Sequence, residues 1–400
     1  MRFTTTVMNE TTTKIFPYLE RLLDGEEVEW KTLGEVAEFK RGQTIMKKTA
    51  QTGVYPVISG GQQPAYYIDQ YNRTGQTITV AGSGAYAGFV MFWDEPIFVS
   101  DAFSIKTDEE VVLPRYVFHF LLNKQSSIFN LKRGAGVPHV YAKDLAAFSI
   151  PIPPLRVQSR IVEILDKFTQ LEAELEAELE ARNKQYDFYR NRLLSGPLPH
   201  SPNIPHQWEQ VPLGSIGEVR MCKRILKQDT TETGEIPFYK IGTFGKSADA
   251  FISRTLFEEY KQKYAYPRIG DILISASGTI GRAIEFDGED AYFQDSNIVW
   301  LEHDSSKVIN RFLYYCYQIA DWKVAKGGTI ARLYNDNLKK TLIPLPPLSE
   351  QRRIVDILDR FDTLTNSISE GLPREIALRR KQYAYYRDAL LSFPRPEVSA

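Results

Sequence analysis

Two stretches of this chain repeat each other, and no other sequence property narrows the possible folds as far. Residues 150–168 read IPIPPLRVQSRIVEILDKF and residues 343–361 read IPLPPLSEQRRIVDILDRF, identical at thirteen of nineteen positions. Further on, RNKQYDFYRNRLLS (182–195) matches RRKQYAYYRDALLS (379–392), with four more residues between the blocks in the second copy. Agreement of this length is a duplication. A duplicated chain of 400 residues is read as related modules, each with its own core.

Each copy opens with a proline cluster and continues apolar at helical spacing. In the first, Ile161, Leu165, Phe168, Leu171, Leu175, Leu179, Tyr186, Tyr189 and Leu193 recur every three to four residues. Pro151, Pro153 and Pro154 cannot sit inside a helix but suit an extended lead-in to its first turn. Gly196 and Pro197 close it. A helix from about Leu155 to Ser195 would be roughly 60 Å long, more than one small domain can cover. Two long helices packed on each other, in an antiparallel coiled coil, are therefore expected. Gly371 and Pro373 should kink or interrupt the second. Within the first, the LEAELEAELEA run (171–181) places Leu at every fourth position with Glu beside it. It reads as a solubilising face, a spacer, or both.

Two weakly similar segments, about 26–150 and 207–343, flank the first helix. Both begin with a Trp and a Leu-Gly pair (Trp30, Leu33-Gly34; Trp208, Leu213-Gly214). Both contain a β-rich, Gly-punctuated stretch, GQTITVAGSGAYAGFVMF from Gly75 and GDILISASGTIGRAIEF from Gly270. An aromatic-rich helical stretch (YVFHFLLNK; FLYYCYQIA), a basic Gly-rich loop and a Tyr-led approach to the proline cluster follow in each. YLERLLDG (18–25) also matches YRNRLLSG (189–196), so the repeat is circularly arranged and the two ends should lie near one another. The fold class expected is α/β (α+β): two mixed domains on two long helices, with an internal pseudo-twofold repeat. The organisation reads as a helix tail (1–25), a first domain (26–150), a first helix (151–196), a linker (197–206), a second domain (207–343), a second helix (344–392) and a tail (393–400).

Composition excludes several classes. With 49 Lys and Arg against 50 Asp and Glu, the net charge of −1 argues against a blanket basic surface. Any nucleic-acid site must be built from local clusters. Cys222 and Cys316 cannot form a disulfide framework or fill a four-ligand metal site, which suits a reduced compartment. No apolar run approaches the roughly 20 residues needed to span a bilayer, and MRFTTTVMNETTTKIF lacks the apolar core of a signal peptide. A soluble, cytoplasmic protein is expected.

Catalytic motifs fail on inspection. Gly245-Lys246-Ser247 ends like a phosphate loop, but Lys240 holds the position of the first glycine. Gly82-x-Gly84 followed by Gly88 misses the dinucleotide spacing. The Ile-Pro-Leu-Pro-Pro-Leu block lacks the Asn or Asp of an adenine methyltransferase motif. Glu38-x-Lys40 and Glu259-x-Lys261 have the spacing of nuclease carboxylate–lysine pairs, a spacing common by chance. Five scattered His and two Cys do not suggest zinc.

The paired Pro-Pro-Leu…Gln…Arg-Ile-Val…Ile-Leu-Asp…Phe blocks, each followed by Lys-Gln-Tyr…Tyr-Arg, resemble the specificity (S) subunit of type I restriction–modification systems over nearly the whole chain. The LEAE run and residues 362–388 resemble the IC branch. The resemblance implies two target-recognition domains that each read half of an asymmetric, interrupted site. It implies helices that set the spacing and bind two methyltransferase subunits, which translocase–nuclease (restriction) subunits join. It also implies a chain without catalysis or cofactor of its own, S-adenosylmethionine, ATP and Mg belonging to the partners. The alternative is a self-contained DNA methyltransferase or nuclease with degenerate motifs. A coiled-coil scaffold without nucleic acid would leave the two divergent modules unexplained.

Candidate DNA contacts follow from residue type. Arg and Lys contact phosphates and the guanine edge, and Gly lets backbone amides approach phosphate closely. The first domain offers Lys40, Arg41, Lys47 and Lys48, then Lys132-Arg133-Gly134-Ala135-Gly136 with His139. The second offers Arg220, Lys223, Arg224 and Lys227, then Lys326-Gly327-Gly328-Thr329 with Arg332. Ser83-Gly84-Ala85-Tyr86 and Ser277-Gly278-Thr279-Ile280 occupy equivalent places after a strand. There they are either loops that offer hydroxyls and amides to DNA or ordinary strand-ending turns. The 22 Tyr and 22 Phe are read mainly as core.

Overall fold

The computed structural model describes residues 15–46, 48, 51–134, 136–196, 207–324 and 332–395. They fall into two compact units, one drawn from Met1–Glu176 with Glu375–Ala400, the other from Ala177–Arg374. Each unit therefore takes half of each long helical repeat together with one domain. The expected linker, 197–206, lies outside the described residues.

The first unit opens with α1 (Pro17–Leu23), β1 (Glu29–Thr32), α2 (Leu33–Val36) and β2 (Ala37–Arg41). Next come β3 (Tyr55–Ile58), β4 (Tyr67–Ile68), β5 (Thr77–Ala81), β6 (Val90–Trp93), β7 (Phe98–Val99) and β8 (Ala102–Thr107). Then follow α3 (Pro114–Asn123), α4 (Gln125–Phe129), α5 (Ala142–Ala146), β9 (Ser149–Ile152) and α6 (Leu155–Ser195), the last belonging to the second unit from Ala177 on. An antiparallel sheet runs β2-β8-β5-β6, and in a smaller one β3 pairs antiparallel with β4 and parallel with β7. Every residue of β5 is buried, so its run of β-branched side chains is covered on both faces. In α3 the buried Tyr116, Val117, Phe120 and Leu121 share one helical face.

The second unit repeats this plan. Its elements are β10 (Gln210–Pro212), β11 (Gly217–Arg220), β12 (Ile236–Tyr239), β13 (Phe251–Ile252), α7 (Arg254–Lys263), β14 (Ile272–Ser275) and β15 (Ala283–Glu285). They continue as β16 (Tyr292–Phe293), β17 (Ile298–His303), α8 (Asn310–Ile319), α9 (Asn335–Lys340), β18 (Leu342–Pro344) and α10 (Leu348–Asn366), while α11 (Gly371–Leu390) starts here and from Glu375 belongs to the first unit. The sheet order β11-β17-β14-β15 and the trio β13-β12-β16 reproduce those of the first unit strand for strand. β1 pairs with β9 as β10 pairs with β18, each closing its domain against a proline cluster.

The first long helix is continuous for 41 residues, from Leu155 to Ser195, as its periodicity predicts. Pairs one turn apart support its exposed face: Glu163–Lys167, Glu178–Arg182 and Glu180–Lys184 at 2.9, 2.7 and 2.6 Å. The second repeat breaks where Gly371 and Pro373 stand. α10 ends at Asn366, and α11 starts at Gly371 with φ +72°. A Cβ there would lie 2.4 Å from the Thr363 carbonyl oxygen, so only glycine fits.

Duplicated polar joints fasten each domain to its helix. Gln158 is fully buried: its Oε1 accepts from the Leu113 N–H (2.9 Å), and its Nε2 donates to the Val111 and Pro153 carbonyls (3.0 and 2.8 Å). Gln351 does the same with the Ile309 N–H and the Lys307 and Pro346 carbonyls, at 2.9, 3.0 and 2.9 Å. Arg115 forks onto Asp166, and Arg311 grips Asp359 and Asp362. Antiparallel contact between the helices is seen in the first unit, where Phe168 stacks on Tyr386 and Arg380 grips Glu172 and Glu176. Leu19 and Leu23 of α1 share a core with Leu390, Leu391 and Phe393, and the Trp30 indole donates to the Pro394 carbonyl at 3.0 Å. The circular repeat thus brings the two ends of the described chain together.

Candidate nucleic-acid interface

Three chain segments meet beyond β5 in the first unit. The strand continues through Gly82 and Ser83 to a turn at Gly84, whose φ of +86° is the left-handed conformation glycine adopts without strain. The basic loop folds back as a small hairpin, Arg133 and His139 exchanging backbone hydrogen bonds of 3.0 and 2.8 Å. His139 bridges Ser83, and the Gly84 N–H donates to the Pro138 carbonyl at 3.0 Å. The third segment is the turn before β8, where Asp101 accepts a hydrogen bond from the Ser83 hydroxyl. Arg41, Thr44, Asp101, His139, Tyr141 and Lys143 share a cleft of about 650 Å³.

The cations near this cleft differ in how firmly they are held. Arg133 holds Asp144 at 3.1 Å, yet its side chain is 60% exposed while the carboxylate's is 14% exposed. Lys132 lies 4.5 Å from the Phe129 ring centre and donates to the Ala85 carbonyl at 3.0 Å, which pins the loop carrying the exposed Tyr86. Lys40 and Arg41 stand exposed at the end of β2, and Lys48 is exposed beyond it. Arg73 braces that strand end by donating to the Arg41 carbonyl at 3.0 Å. Lys47 lies outside the described residues.

The second unit builds the same junction from different side chains. Ser277, buried, donates to Asn297 Oδ1 at 2.8 Å, and Gly278 takes φ +66°. Arg332 bridges Ser277 and reaches Asn297 Oδ1 at 3.5 Å. Arg224 clamps Asp295 at 2.9 Å, two residues before Asn297. Lys223 sits 5.2 Å from the Tyr264 ring centre, while Lys227 and Thr279 are exposed. Arg220 is committed within its sheet, to Glu302 at 2.6 Å and Glu218 at 3.2 Å. Lys326 and Thr329 lie outside the described residues.

The junctions thus gather Arg41, Ser83, Lys132, Arg133 and His139 in one unit, and Arg224, Ser277 and Arg332 in the other. Two residues the motif reading missed, Asp101 and Asn297, stand at their centres. The available signal was a short polar break between apolar strands, FVSDAF and FQDSNI. Among the described residues no three His, Cys, Asp or Glu converge as metal ligands. Burial pushes the Cys222 thiol up to about 12 and raises that of Cys316 as well, so both behave as core residues. No helix among the described residues is long and apolar enough to cross a membrane.

Two unlike loop clusters on one repeated frame define a tandem recognition protein. A family model described as the type I restriction modification DNA specificity domain matches residues 25–181 and again 205–378. The chain belongs to this family, as a specificity subunit: the DNA-recognition, non-catalytic member of a type I restriction–modification enzyme. It is 47% identical to a putative type I restriction enzyme specificity subunit of Haemophilus influenzae, over 94% of this chain and 98% of that one. It is 34% identical to the EcoR124I/EcoR124II specificity subunit of Escherichia coli, over 95% and 98% of the two chains. The crystal structure of an S subunit from M. genitalium has the same fold, with TM-score 0.60 and 18% identity over 92% of this chain and 97% of that one.

Proposed function

We propose that this specificity subunit reads an asymmetric, bipartite DNA site, one half per recognition domain, and presents it to two methyltransferase subunits that restriction subunits join. S-adenosylmethionine, ATP and Mg are supplied by those partners, and this chain carries no cofactor. Basic loops position the duplex through phosphates, and side chains between them read base edges. The long helices hold the domains and face the partners, with the LEAE run as a spacer.

The observation that carries this reading is the contrast between frame and filling. Both units keep the same strand order and the same buried glutamine joint. At the loop junctions they differ: His139 against Arg332, Asp101 against Asn297. A duplicated frame with divergent loops suits two targets rather than one. Exchanging residues 26–150 for the matching segment of another specificity subunit should change one half of the methylated site and leave the other intact. Change in both halves by a folded chimera would overturn the proposal.

A further inference from the structure

The two junctions share one hydrogen-bond pattern. Ser83 follows β5 and Ser277 follows β14, each the third strand in its main sheet order, and each hydroxyl donates to the residue just before the neighbouring strand. The Gly82 N–H donates to the Asp101 carbonyl (3.2 Å) and the Val140 N–H to the Gly82 carbonyl (3.0 Å). The Ala276 N–H to Asn297 and the Leu333 N–H to Ala276 repeat the pattern at 2.7 and 2.8 Å. Asp101 and Asn297 are therefore the same structural position, carrying different hydrogen-bonding groups.

Their environments decide what each can offer. The Ser83 hydroxyl occupies one carboxylate oxygen of Asp101, leaving the other as an acceptor. Asp101 is exposed, lines the cleft with Arg41, His139 and Lys143, and pairs with no cation among the described residues. A carboxylate in such a place repels phosphate. In the major groove its favourable partner is an amino group, the N4 of cytosine or the N6 of adenine. Asn297 is oriented the opposite way. Its Oδ1 accepts from Ser277, and it also faces Arg332, which can only donate, so its Nδ2 is the free group. The turn that aims it is strained: Ser296 takes φ +50°, and Asp295 behind it is held by Arg224.

Resting on the half-site reading above, we propose that Asp101 and Asn297 are equivalent base-reading positions of opposite sign. Asp101 accepts from adenine or cytosine in one half-site. Asn297 donates to a base acceptor in the other, the N7 or O6 of guanine, the O4 of thymine or the N7 of adenine. Ser83 and Ser277 are their positioning residues.

The test is a methylation map of the full chain assembled with its methyltransferase. Asp101→Asn and Asn297→Asp are isosteric and keep the oxygen that the serine holds. Asp101→Asn should shift the preference at a single position of the first half-site by roughly tenfold, with the second half unchanged. Asn297→Asp should do the converse. Ser83→Ala and Ser277→Ala should broaden the same single positions without creating a new preference, and they decide the matter where a charge change unfolds the chain. An unchanged site in all four variants, or uniformly weaker methylation of that site, overturns the assignment. If instead the wild-type site is not bipartite, or one substitution alters both halves, the half-site reading itself fails.

Discussion

Gln158 and Gln351 make the same three hydrogen bonds in the two units, whereas Asp101 and Asn297, also in matching places, differ in charge. The difference lies in what each position must satisfy. A glutamine sealed between a domain and a helix holds one backbone N–H and two carbonyls that have no water to turn to. Losing it strands them all. A residue at the rim of a loop junction leaves part of its hydrogen-bonding capacity unused inside the protein, so it is less constrained by the fold. Duplication thus preserved the joints and freed the rims. Between these extremes lies the arginine–aspartate joint. Arg115 and Arg311 both grip the helix aspartate, but His119 stands where Tyr315 does, each bonded to that aspartate.

The largest effect is expected at the shared joint. Gln158→Ala and Gln351→Ala should each destabilise their own unit by about 3 kcal/mol. Thermal unfolding of the full chain should show the two costs equal to within about 1 kcal/mol. Clearly unequal costs would break the equivalence of the frames.

A smaller, pH-dependent effect should appear in the first unit alone. Burial lowers the His119 imidazole pKa from its ordinary 6.5, with Asp166 only partly restoring it. The neutral ring accepts at Nδ1 from the Tyr383 hydroxyl (3.0 Å) and donates from Nε2 to Asp166 (2.7 Å). Below pH 6.5 the unfolded chain binds a proton that the folded one resists, so stability is full above that value and falls as the pH drops through it. Asp166 adds to the loss at more acid pH: burial raises its carboxyl, but hydrogen bonds from His119 and Arg115 outweigh this and hold it below the ordinary range. Tyr315 stays protonated, its pKa raised by burial and by Asp359. Unfolding followed from pH 7.5 to 5.5 should therefore slope for the first unit and stay nearly flat for the second, and His119→Tyr should flatten the slope. A slope that survives this substitution would show that other groups set it.

The smallest effect is expected at Arg380, which holds Glu172 at 2.6 Å and also Glu176. Its side chain is 57% exposed, so solvent and salt screen the pair. Arg380→Ala should cost about 0.5 kcal/mol at low salt and less at high salt. The matching position in the other repeat is Asn183, so this clamp belongs to one copy. A salt-independent loss would point to packing by the arginine stem instead.

Much of the fold was legible because its strongest signals are local. Proline clusters, a 3.6-residue apolar period and a Gly-x-Pro break are each set by a few neighbouring residues, and α6, α10 and α11 begin and end where they indicate. The paired strands after Gly75 and Gly270 were legible for the same reason. The site was legible only as residue types. Arg, Lys, Ser and Gly at matching offsets marked loops that the fold gathers at matching strand ends, but the same reading could not separate Arg220, held within its sheet by Glu302 and Glu218, from Arg133, held by Asp144 at 60% exposure.

By itself the sequence determined the duplication, the helix limits and the division into two recognition domains, because a repeat and a periodicity need no knowledge of contacts. Only the tertiary structure decided that residues 101 and 297 are the same position. It also decided that one offers an acceptor and the other a donor. Each depends on a serine about twenty residues earlier and a loop some 35 residues later, His139 or Arg332, meeting at one strand end. That coincidence is created by sheet register, and register is a property of pairing between distant strands.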